Sequence, residues 1–284
     1  MKANKTWKKV LGVGLAVMLS ATALAACGSS KTKTQEGASS SGKAAATSTV
    51  AKIKERGKYV VGVKYDLNLF GLKDPATGNV EGFDIDIAKA IAKKILGDEN
   101  KIELKEVTSK TRIPMLKNGE IDSIIATMTI TDERKKEVDF SDVYFMAGQS
   151  FLVKKDSTIK GLEDFTKGKK VVTAKGSTSA KNIRENAPEA EVLEFENYAE
   201  AFTALKAGQG DALTTDNALL YGMAKQDPNF RVVEGTFTEE PYGIALPKGD
   251  AEFVALVNDL LKEMKQNGEY DKLYEKWIGE KPKN

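Results

Sequence analysis

The sequence predicts an α/β protein with two lobes, and three observations carry this prediction. From residue 50 onward, short runs of β-branched residues alternate with helical stretches, which is the pattern of parallel α/β sheets. This alternation falls into two sets of roughly equal size. Apolar residues make up 41% of the 284 residues, which is enough for the cores of two medium-sized lobes.

The first set contains three expected strands and two expected helices. The strands are residues 58–63, 101–107 and 121–127, and the helices are residues 84–96 and 112–118. In the first helix, Ile87, Ile91 and Ile95 share one face, as an amphipathic helix requires. Pro114 fits the second helix only in its first turn, so this helix is expected to start near Lys110.

The second set supplies the remaining elements. Its strands are residues 149–154, 169–174, 191–195 and 211–215, and its helices are residues 177–185, 198–207 and 217–225. A further strand at 242–246 precedes two C-terminal helices, 251–267 and 270–278. Ligands of such sheets bind beyond the carboxyl ends of strands, so polar residues at these junctions are the candidates for a binding site.

Composition excludes several kinds of chemistry. With no histidine and a single cysteine, the chain has no Ser-His-Asp triad, no histidine-ligated metal, no CxxC redox centre and no intrachain disulfide. We therefore expect neither a metal nor a cofactor. The formal net charge is +2, but from residue 50 onward the balance is 36 basic to 40 acidic residues. This mildly acidic balance argues against nucleic acid as a partner.

The first 26 residues predict a secretory signal peptide. Four lysines lie within the first nine residues, an apolar stretch covers residues 10–19, and small residues precede Cys27. A membrane-spanning helix is the alternative, but such a span needs about 20 apolar residues. The run LAAC at 24–27 resembles the lipobox of bacterial lipoproteins, which implies that Cys27 carries a lipid anchor. Residues 27–49 have almost no bulky apolar side chain and are expected to form a flexible tether.

Polar residues lie at the ends of the predicted strands. They are Lys64, Ser109, Arg112, Thr127, Thr129, Arg134, Thr178, Ser179 and Asp216. A guanidinium suits a carboxylate, hydroxyls and free helix N–H groups bind anions, and a carboxylate pairs with an ammonium group. Together these groups match a zwitterionic amino acid with an acidic or amide side chain.

Each of these residues also has an ordinary structural explanation. Asp216 is a good helix cap, and the hydroxyl residues at 177–179 meet the same need at the start of another helix. Arg134 fits a solvated helix charge. Lys64 and Arg112, taken singly, are typical surface charges in a chain that is 30% charged.

Five motifs occur in the order found in a known protein family. They are GFDIDIA at 82–88, ATMTITDERKKEVDFSDVYF at 126–145, KGSTSAKNI at 175–183, DALTTDNALL at 211–220 and PYGIALPKG at 241–249. Together they resemble the polar amino-acid-binding proteins of ABC importers, the bacterial extracellular solute-binding proteins of family 3. The resemblance covers about residues 50–280, and it is closest to glutamine-, glutamate- and aspartate-binding lipoproteins of Gram-positive bacteria.

This resemblance implies the two-lobe periplasmic-binding-protein-like fold of type II, in which the ligand is trapped as the lobes close about a hinge. Two crossovers are expected to join the lobes, near residues 147–149 and 239–242. The first lobe is then discontinuous and consists of residues 50–147 plus 242–284. The second lobe consists of residues 148–241.

The resemblance also implies roles for the residues that would bind the α-groups of the ligand. Arg134 is expected to bind the α-carboxylate, and Asp216 the α-ammonium. Further contacts to the carboxylate are expected from Thr127, Thr129, Thr178 and Ser179.

The side-chain preference of the ligand depends on Arg112, Ser109 and Lys64. In acidic-amino-acid receptors of the family, the positions that match Arg112 and Ser109 hold a distal carboxylate, and another cation often occupies the position of Lys64. An amide would leave one of the two buried cations unpaired, at a cost of about 1–3 kcal/mol. We therefore expect glutamate and aspartate in preference to glutamine. A glutamine-specific receptor is the alternative, and a pocket acid that neutralised one cation would favour it.

The implied protein is a monomeric, lipid-anchored receptor on the extracytoplasmic face of the membrane, which delivers its amino acid to a permease driven by an ATPase. It is not expected to be an enzyme. Two other functions stay open, a dehydratase of small cyclic acids on the same fold and a sensor or adhesin lipoprotein that works without a transporter. Without histidine, a dehydratase would need a carboxylate, lysine or tyrosine as its general acid.

Overall fold

The computed structural model describes residues 48–279, which form two lobes joined by two crossover strands. The chain begins with α1 (Thr49–Arg56), β1 (Tyr59–Val63), β2 (Asp66–Leu67), β3 (Gly71–Lys73), β4 (Val80–Glu81), α2 (Phe83–Leu96), β5 (Ile102–Glu106), α3 (Arg112–Lys117), β6 (Ser123–Ile124), α4 (Asp132–Lys135), β7 (Asp139–Phe140) and β8 (Phe145–Ala147). It continues with β9 (Gln149–Lys154), a 3₁₀ turn (Leu162–Asp164), β10 (Lys170–Ala174), α5 (Thr178–Asn186), β11 (Glu191–Phe195), α6 (Tyr198–Lys206), β12 (Ala212–Asp216), α7 (Asn217–Gln226) and β13 (Phe230–Val232). It ends with β14 (Glu240–Tyr242), β15 (Ala245–Leu246), α8 (Ala251–Gln266) and α9 (Glu269–Ile278).

Each lobe is built on one five-stranded sheet. Lobe 1 contains the order β5-β1-β6-β15-β7, in which β1 is parallel to β5 and β6 while β15 is antiparallel to β6 and β7. Lobe 2 contains the order β11-β10-β12-β9-β13, in which β10 is parallel to β11 and β12 while β9 is antiparallel to β12 and β13. The mixed α/β class predicted from the alternating pattern is therefore confirmed.

Strands β8 and β14 connect the lobes and pair with each other. They run antiparallel, with Ala147 opposite Glu240 and Phe145 opposite Tyr242. The chain leaves lobe 1 after β8 and returns to it after β14. The two expected crossovers are therefore present, while the lobe limits at 147/148 and 241/242 stay a prediction.

Several segments differ from the sequence prediction, and strands β7, β8 and β13 were not predicted. The expected strand at 242–246 is split, because β14 pairs with β8 whereas β15 joins the sheet of lobe 1. Of the expected strand at 121–127, only β6 forms a strand. Thr127 is not extended, because its φ is +46°. The three-stranded sheet β2-β3-β4 was not predicted.

Helix α1 was also not predicted, since the expected tether extended to residue 49. Ser48 caps this helix by accepting a hydrogen bond from Ala51 N at 3.3 Å, and Val50 and Ile53 are buried. Thr49 N donates to Asp250 at 2.9 Å. The folded part of the chain therefore includes Ser48.

The predicted signal peptide, Cys27 and the rest of the predicted tether lie outside the described residues. Within residues 48–279, no helix is long and apolar enough to cross a membrane.

Aromatic side chains anchor the crossover strands to lobe 1. The ring centroid of Phe145 lies 5.1 Å from that of Phe70, 6.0 Å from that of Phe83 and 5.5 Å from that of Tyr242. All four side chains are nearly or fully buried. Because burial of one such side chain stabilises a fold by about 1.5–3 kcal/mol, this cluster fixes the place where the two crossovers leave lobe 1.

A glycine before α2 allows this cluster to pack. Gly82 has a φ of +150°, and a Cβ atom there would lie 2.1 Å from the carbonyl oxygen of Phe70. We expect Gly82→Ala to lower the free energy of unfolding by about 3 kcal/mol or more, because it adds both backbone strain and a clash with backbone. Urea denaturation followed by circular dichroism measures this loss.

Gly97→Ala is the matched control for that measurement. Gly97 has a φ of +74°, but no atom lies within 4 Å of the position of a Cβ. It should therefore lose only about 1–2 kcal/mol, the cost of a left-handed conformation alone. Equal losses for the two variants would contradict a tight contact between Gly82 and Phe70.

Candidate functional site

A small polar cavity lies between the lobes, at the carboxyl ends of strands from both sheets. Its walls are Ser109, Arg112 and Thr127 from lobe 1, and Ser177, Thr178, Ser179, Tyr198, Thr215, Asp216 and Leu219 from lobe 2. We call this the cleft cavity. Six of the nine predicted binding residues line it, and a wider groove on lobe 1 contains none of the nine.

Asp216 ends β12 with its carboxylate facing this cavity. One oxygen, Oδ2, accepts a hydrogen bond from the Tyr242 hydroxyl, and Oδ1 has no partner within residues 48–279. Asp216 precedes α7, but its side chain does not cap that helix, so the structural explanation as a helix cap is wrong. Burial and the nearby charge of Glu240 raise the pKa of Asp216 to about 7.

Arg134 lies in α4 and reaches from lobe 1 toward lobe 2. Its Nη1 donates to Thr129 O at 2.7 Å, and its Nη2 donates to Gly176 O at 3.4 Å. Thr131 caps α4 by accepting from Arg134 N at 3.2 Å, which fixes the base of the side chain. Burial lowers the pKa of Arg134. The Arg134 guanidinium therefore makes hydrogen bonds to both lobes, although Arg134 is not itself one of the residues that line the cleft cavity.

Two threonines meet across the same opening. The hydroxyl oxygens of Thr129 in lobe 1 and Thr178 in lobe 2 lie 3.4 Å apart. The Ser179 hydroxyl lies 3.3 Å from that of Tyr198 and is buried. One hydroxyl from each lobe, those of Thr129 and Thr178, therefore lies close to the place where Arg134 contacts Thr129 O.

Arg112 and Lys64 are buried, so their explanation as surface charges is wrong. The exposed fraction is 2% for Arg112 and 1% for Lys64. Arg112 Nη1 donates to Ala126 O at 2.7 Å, and Lys64 Nζ lies 3.9 Å from Asp66 Oδ1. Burial and the charge of Arg134 lower the pKa of Arg112 to about 9. Burial also lowers the pKa of Lys64, although Asp66 acts in the opposite direction.

Two atoms of these cations have no hydrogen-bond partner in the part of the chain that the structure describes. They are Arg112 Nε and Lys64 Nζ. Both are strong donors, and buried donors without partners are costly. Arg112 is one of the residues that line the cleft cavity, whereas Lys64 is not.

Three acids near the site were not predicted from the sequence: Asp84 and Glu240 are buried, and Asp66 is partly buried. Asp66 lies beside Lys64, Asp84 accepts from Thr127 N at 3.0 Å, and Glu240 on β14 accepts from Asn182 Nδ2 at 2.7 Å. Of these, Asp84 carried a usable signal. It lies on the apolar stripe of α2 that includes Ile87, Ile91 and Ile95, where a solvated acid would not be expected. Asp66 and Glu240 reach the site through the geometry of a loop and of a crossover strand, which the hydrophobic pattern of the sequence does not predict.

Contacts between the lobes enclose the cavity. Lys181 Nζ in lobe 2 lies 2.9 Å from Glu133 Oε1 in lobe 1. The Asp66 carboxylate accepts from Tyr198 N, at the start of α6, at 2.9 Å. A Cβ on Gly176 would lie 3.0 Å from Lys110 Cα, so the backbones of the two lobes are close together there. The lobes are in a closed arrangement.

Residues 59–280 match the bacterial extracellular solute-binding proteins, family 3. The chain belongs to this family. The resemblance inferred from the five motifs is therefore confirmed, as is the two-lobe fold of type II that it implied. A solute held between the lobes is the function that this family membership establishes.

Relatives and a solved structure give the membership more detail. The chain is 72% identical to the glutamine-binding protein of Geobacillus stearothermophilus over 250 residues, which cover 87% of this chain and 95% of that one. It is 62% identical to the ABC transporter glutamine-binding protein GlnH of Bacillus subtilis over 275 residues, covering 97% and 99%. The structure of an ancestral arginine-binding protein bound to glutamine superposes with a TM-score of 0.74 at 50% identity, covering 79% of this chain and 99% of that one.

The buried state of Asp216 predicts how folding stability depends on pH. Its pKa is about 7 in the folded, ligand-free protein and 3.8 as the ordinary value. Between these values the folded state holds the proton more tightly than the unfolded state, so stability falls as pH rises from about 4 to about 7. We expect Asp216→Asn to stabilise the ligand-free protein at pH 8 and to flatten this decline. Urea denaturation at pH 5 and pH 8 measures both effects.

Asp132→Asn serves as the control, because Asp132 is exposed and its carboxylate makes only a surface ion pair with Lys135, at 3.3 Å, among the contacts described, so its charge is removed at a solvated position. Asp84, whose pKa is also about 7, should keep part of the slope in every variant. An Asp216→Asn protein that loses as much stability between pH 5 and pH 8 as the unmodified protein would exclude Asp216 as the titrating group.

Proposed function

We propose that the protein is a lipid-anchored receptor that captures glutamine between its lobes and delivers it to the permease of an ABC importer. The observation that carries the amino-acid part of this proposal is the placement of Arg134 and Asp216. They place opposite charges near one cavity: Asp216 lines it with Oδ1 unpartnered among the described residues, and Arg134 makes hydrogen bonds to both lobes beside it. The names of the relatives from Geobacillus stearothermophilus and Bacillus subtilis support glutamine and the importer.

The α-groups of the ligand would be shared between the lobes. The α-carboxylate would bind Arg134, Thr129 and the backbone at Thr127 from lobe 1, and the α-ammonium would bind Asp216 Oδ1 from lobe 2. Thr178 and Ser179 would approach the carboxylate from the start of α5, where free N–H groups favour an anion. A ligand held in this way contacts both lobes at once, which stabilises the closed arrangement.

The lobes would move about the crossovers. We propose residues 50–147 plus 242–284 as lobe 1 and residues 148–241 as lobe 2. The pairing of β8 with β14 supports a hinge at these limits, because it is a two-stranded link between two larger sheets.

The position of Asp66 supports glutamine over an acidic ligand. The expectation of glutamate and aspartate counted two distal cations, Lys64 and Arg112, without an acid to balance either. Asp66 lies 3.9 Å from Lys64 and reduces the positive charge that a distal group meets. A neutral amide then leaves fewer unpaired charges than the sequence suggested. Glutamine, the alternative in the sequence prediction, becomes the proposed ligand.

Glutamate and aspartate form a second candidate class. The observation that favours them is the pair of unpartnered donors, Lys64 Nζ and Arg112 Nε, in the described part of the site. A distal carboxylate offers two charged acceptors to these donors, whereas an amide offers one neutral acceptor. The two candidates differ in a direct binding measurement.

Calorimetric titration of the purified protein with glutamine, glutamate, aspartate, asparagine, arginine and cystine tests the proposal. We expect glutamine to bind about tenfold more tightly than glutamate or better, since the latter adds charge beside Asp66. Arg134→Ala and Asp216→Ala should each lose about 2–5 kcal/mol of binding free energy for every ligand, because each leaves a ligand charge buried and unpaired.

The control for these variants is Lys135→Ala, which removes an exposed charge next to Arg134. Its affinity should equal that of the unmodified protein. Tighter binding of glutamate than of glutamine would establish the second candidate class. Unchanged affinity in Arg134→Ala or Asp216→Ala would refute the proposed roles of these residues.

We propose that the protein performs no chemistry on its ligand and works as a monomer. The solute-binding family to which it belongs supports this. An NMR spectrum of the ligand that changes with time in the presence of protein would instead support the dehydratase alternative.

The lipid anchor is proposed from residues outside the described part of the chain. The run LAAC at 24–27 follows a signal-like segment, so Cys27 would be acylated after cleavage of residues 1–26. Cys27→Ala should release the protein from membranes, as measured by cell fractionation and by incorporation of labelled palmitate. Glutamine affinity should not change. Continued membrane association of Cys27→Ala would contradict the anchor.

A further inference from the structure

One peptide group beside the cleft cavity is held from both sides. The carbonyl oxygen of Ala126 accepts a hydrogen bond from Arg112 Nη1 at 2.7 Å. The N–H of the same peptide group, on Thr127, donates to Asp84 Oδ2 at 3.0 Å. A buried carboxylate and a buried guanidinium are thereby linked through a single peptide unit. Arg112 lines the cavity, whereas Asp84 lies behind it and is 0% exposed.

The backbone at this point needs such support. Thr127 has a φ of +46°, a conformation that a β-branched residue rarely adopts. Strained backbone persists only where its surroundings determine it, and it is common at ligand sites. The hydrogen bond to Asp84 fixes the N–H of Thr127, and with it the direction of the Ala126 carbonyl. The orientation of the Arg112 guanidinium follows from that carbonyl.

Asp84 itself is fixed by a second donor. The Tyr144 hydroxyl donates to Asp84 Oδ1 at 2.9 Å, so both carboxylate oxygens are used. No ion pair joins Asp84 to a lysine or arginine within residues 48–279. The cation that lowers its pKa, against the larger upward effect of burial, is Arg112. The negative charge of Asp84 is therefore balanced at longer range by the residue that faces the ligand.

A peptide group between an anion and a cation is polarised along its length. The carboxylate strengthens the N–H donor, and the carbonyl becomes a better acceptor, because hydrogen bonds in a chain reinforce one another at low dielectric. The arrangement Tyr144–Asp84–peptide–Arg112 is such a chain. It connects Asp84, the second residue of α2 in the motif GFDIDIA, to Arg112 in the wall of the cleft cavity.

We propose that Asp84 is a positioning residue for ligand selectivity, which orients Arg112 through the peptide group between Ala126 and Thr127 and balances its charge from behind. With its charge balanced by Asp84, Arg112 can donate a hydrogen bond to the distal group of the ligand even when that group is neutral. The inference rests on the proposed function, because it takes Arg112 to face the ligand side chain. Asp84 would balance the charge of Arg112 in the way that Asp66 balances the charge of Lys64.

Asp84→Asn is the first test, with calorimetry at pH 8, where Asp84 is ionised in the unmodified protein because its pKa is about 7. The substitution keeps the size of the side chain but removes its charge and one of its two acceptors. Glutamine affinity should fall about ten- to hundredfold. Glutamate affinity should fall less, because the bare charge of Arg112 favours a carboxylate, so the ratio of the two affinities should shift about tenfold toward glutamate.

Asp122→Asn is the matched control. Asp122 is also a buried carboxylate of lobe 1 that accepts from a backbone amide, Val60 N, at 2.7 Å, and it pairs with Arg56 instead of facing the cavity. Its substitution should lower thermal stability and leave both affinities within about twofold. A purely structural role of Asp84 would give the same result, with the glutamine-to-glutamate ratio unchanged.

A double-mutant cycle with Arg112→Met shows whether Asp84 acts through Arg112. In the Arg112→Met background, Asp84→Asn should change glutamine affinity by less than about threefold, since the group that it positions is gone. Equal losses in the two backgrounds would overturn the proposal. An unchanged affinity ratio in Asp84→Asn would overturn it as well.

Tyr144→Phe keeps the proposal testable if Asp84→Asn does not fold. This variant removes the hydroxyl that holds Asp84 and retains the ring that packs on Phe83. Glutamine affinity should fall about threefold or more with Arg112 present and remain unchanged in Arg112→Met. Equal losses of glutamine affinity in both backgrounds would refute the proposal that Asp84 acts through Arg112.

The outcomes also separate this inference from the proposed function. An unmodified protein that binds neither glutamine nor an acidic amino acid would refute both. An unmodified protein that binds glutamine, with Asp84→Asn binding it equally well, would refute this inference alone.

Discussion

Charge buried in a closed cleft is the constraint on which the rest of this structure depends. Lys64, Arg112 and Asp216 are at most 5% exposed, and a buried charge without partners costs several kcal/mol. The protein meets this cost with fixed partners: Asp66 beside Lys64, a backbone carbonyl on Arg112, and the Tyr242 hydroxyl on Asp216. One atom of each charged group, Lys64 Nζ, Arg112 Nε and Asp216 Oδ1, still has no hydrogen-bond partner among the described residues. A zwitterionic ligand can use that remaining capacity without breaking a contact that the protein has already made.

The same constraint couples the cleft to the hinge. Tyr242, which donates to Asp216, lies on the crossover strand β14, and so does Glu240, whose charge helps to raise the pKa of Asp216. Glu240 in turn accepts hydrogen bonds from Asn182 in lobe 2 and from Thr238 in the segment before β14. A rotation of the lobes about β14 therefore moves the groups that set the charge state of Asp216. In the proposed function, ligand binding and closure would act on one set of buried polar atoms.

The sequence predicted which residues line the cleft cavity better than it predicted the charges around them. Arg112, Thr127, Thr178 and Asp216 were placed at strand ends, and because parallel strands present their carboxyl ends at one edge, the fold brings them together. The acids were harder to predict, since their partners come from distant segments. Asp66 reaches the start of α6, 132 residues away, and such a contact depends on how two lobes close. A helix period or a strand alternation describes one segment and contains no such information.

In the proposed function, selectivity for the distal group of the ligand would depend on the acids behind the two cations, and the size of the electrostatic interaction explains why. At an effective dielectric constant of about 20, two unit charges 4 Å apart interact by about 4 kcal/mol, which corresponds to roughly a thousandfold in affinity. Asp66 lies at about that distance from Lys64, and Asp84 is one peptide group away from Arg112. Both acids belong to lobe 1, whereas Asp216 belongs to lobe 2. A change in either acid would therefore be expected to alter the preference between an amide and a carboxylate while the proposed ammonium contact of Asp216 stays the same. The identity of the distal cations alone does not determine the ligand, because the charge that the ligand meets is the sum of each cation and the acid behind it.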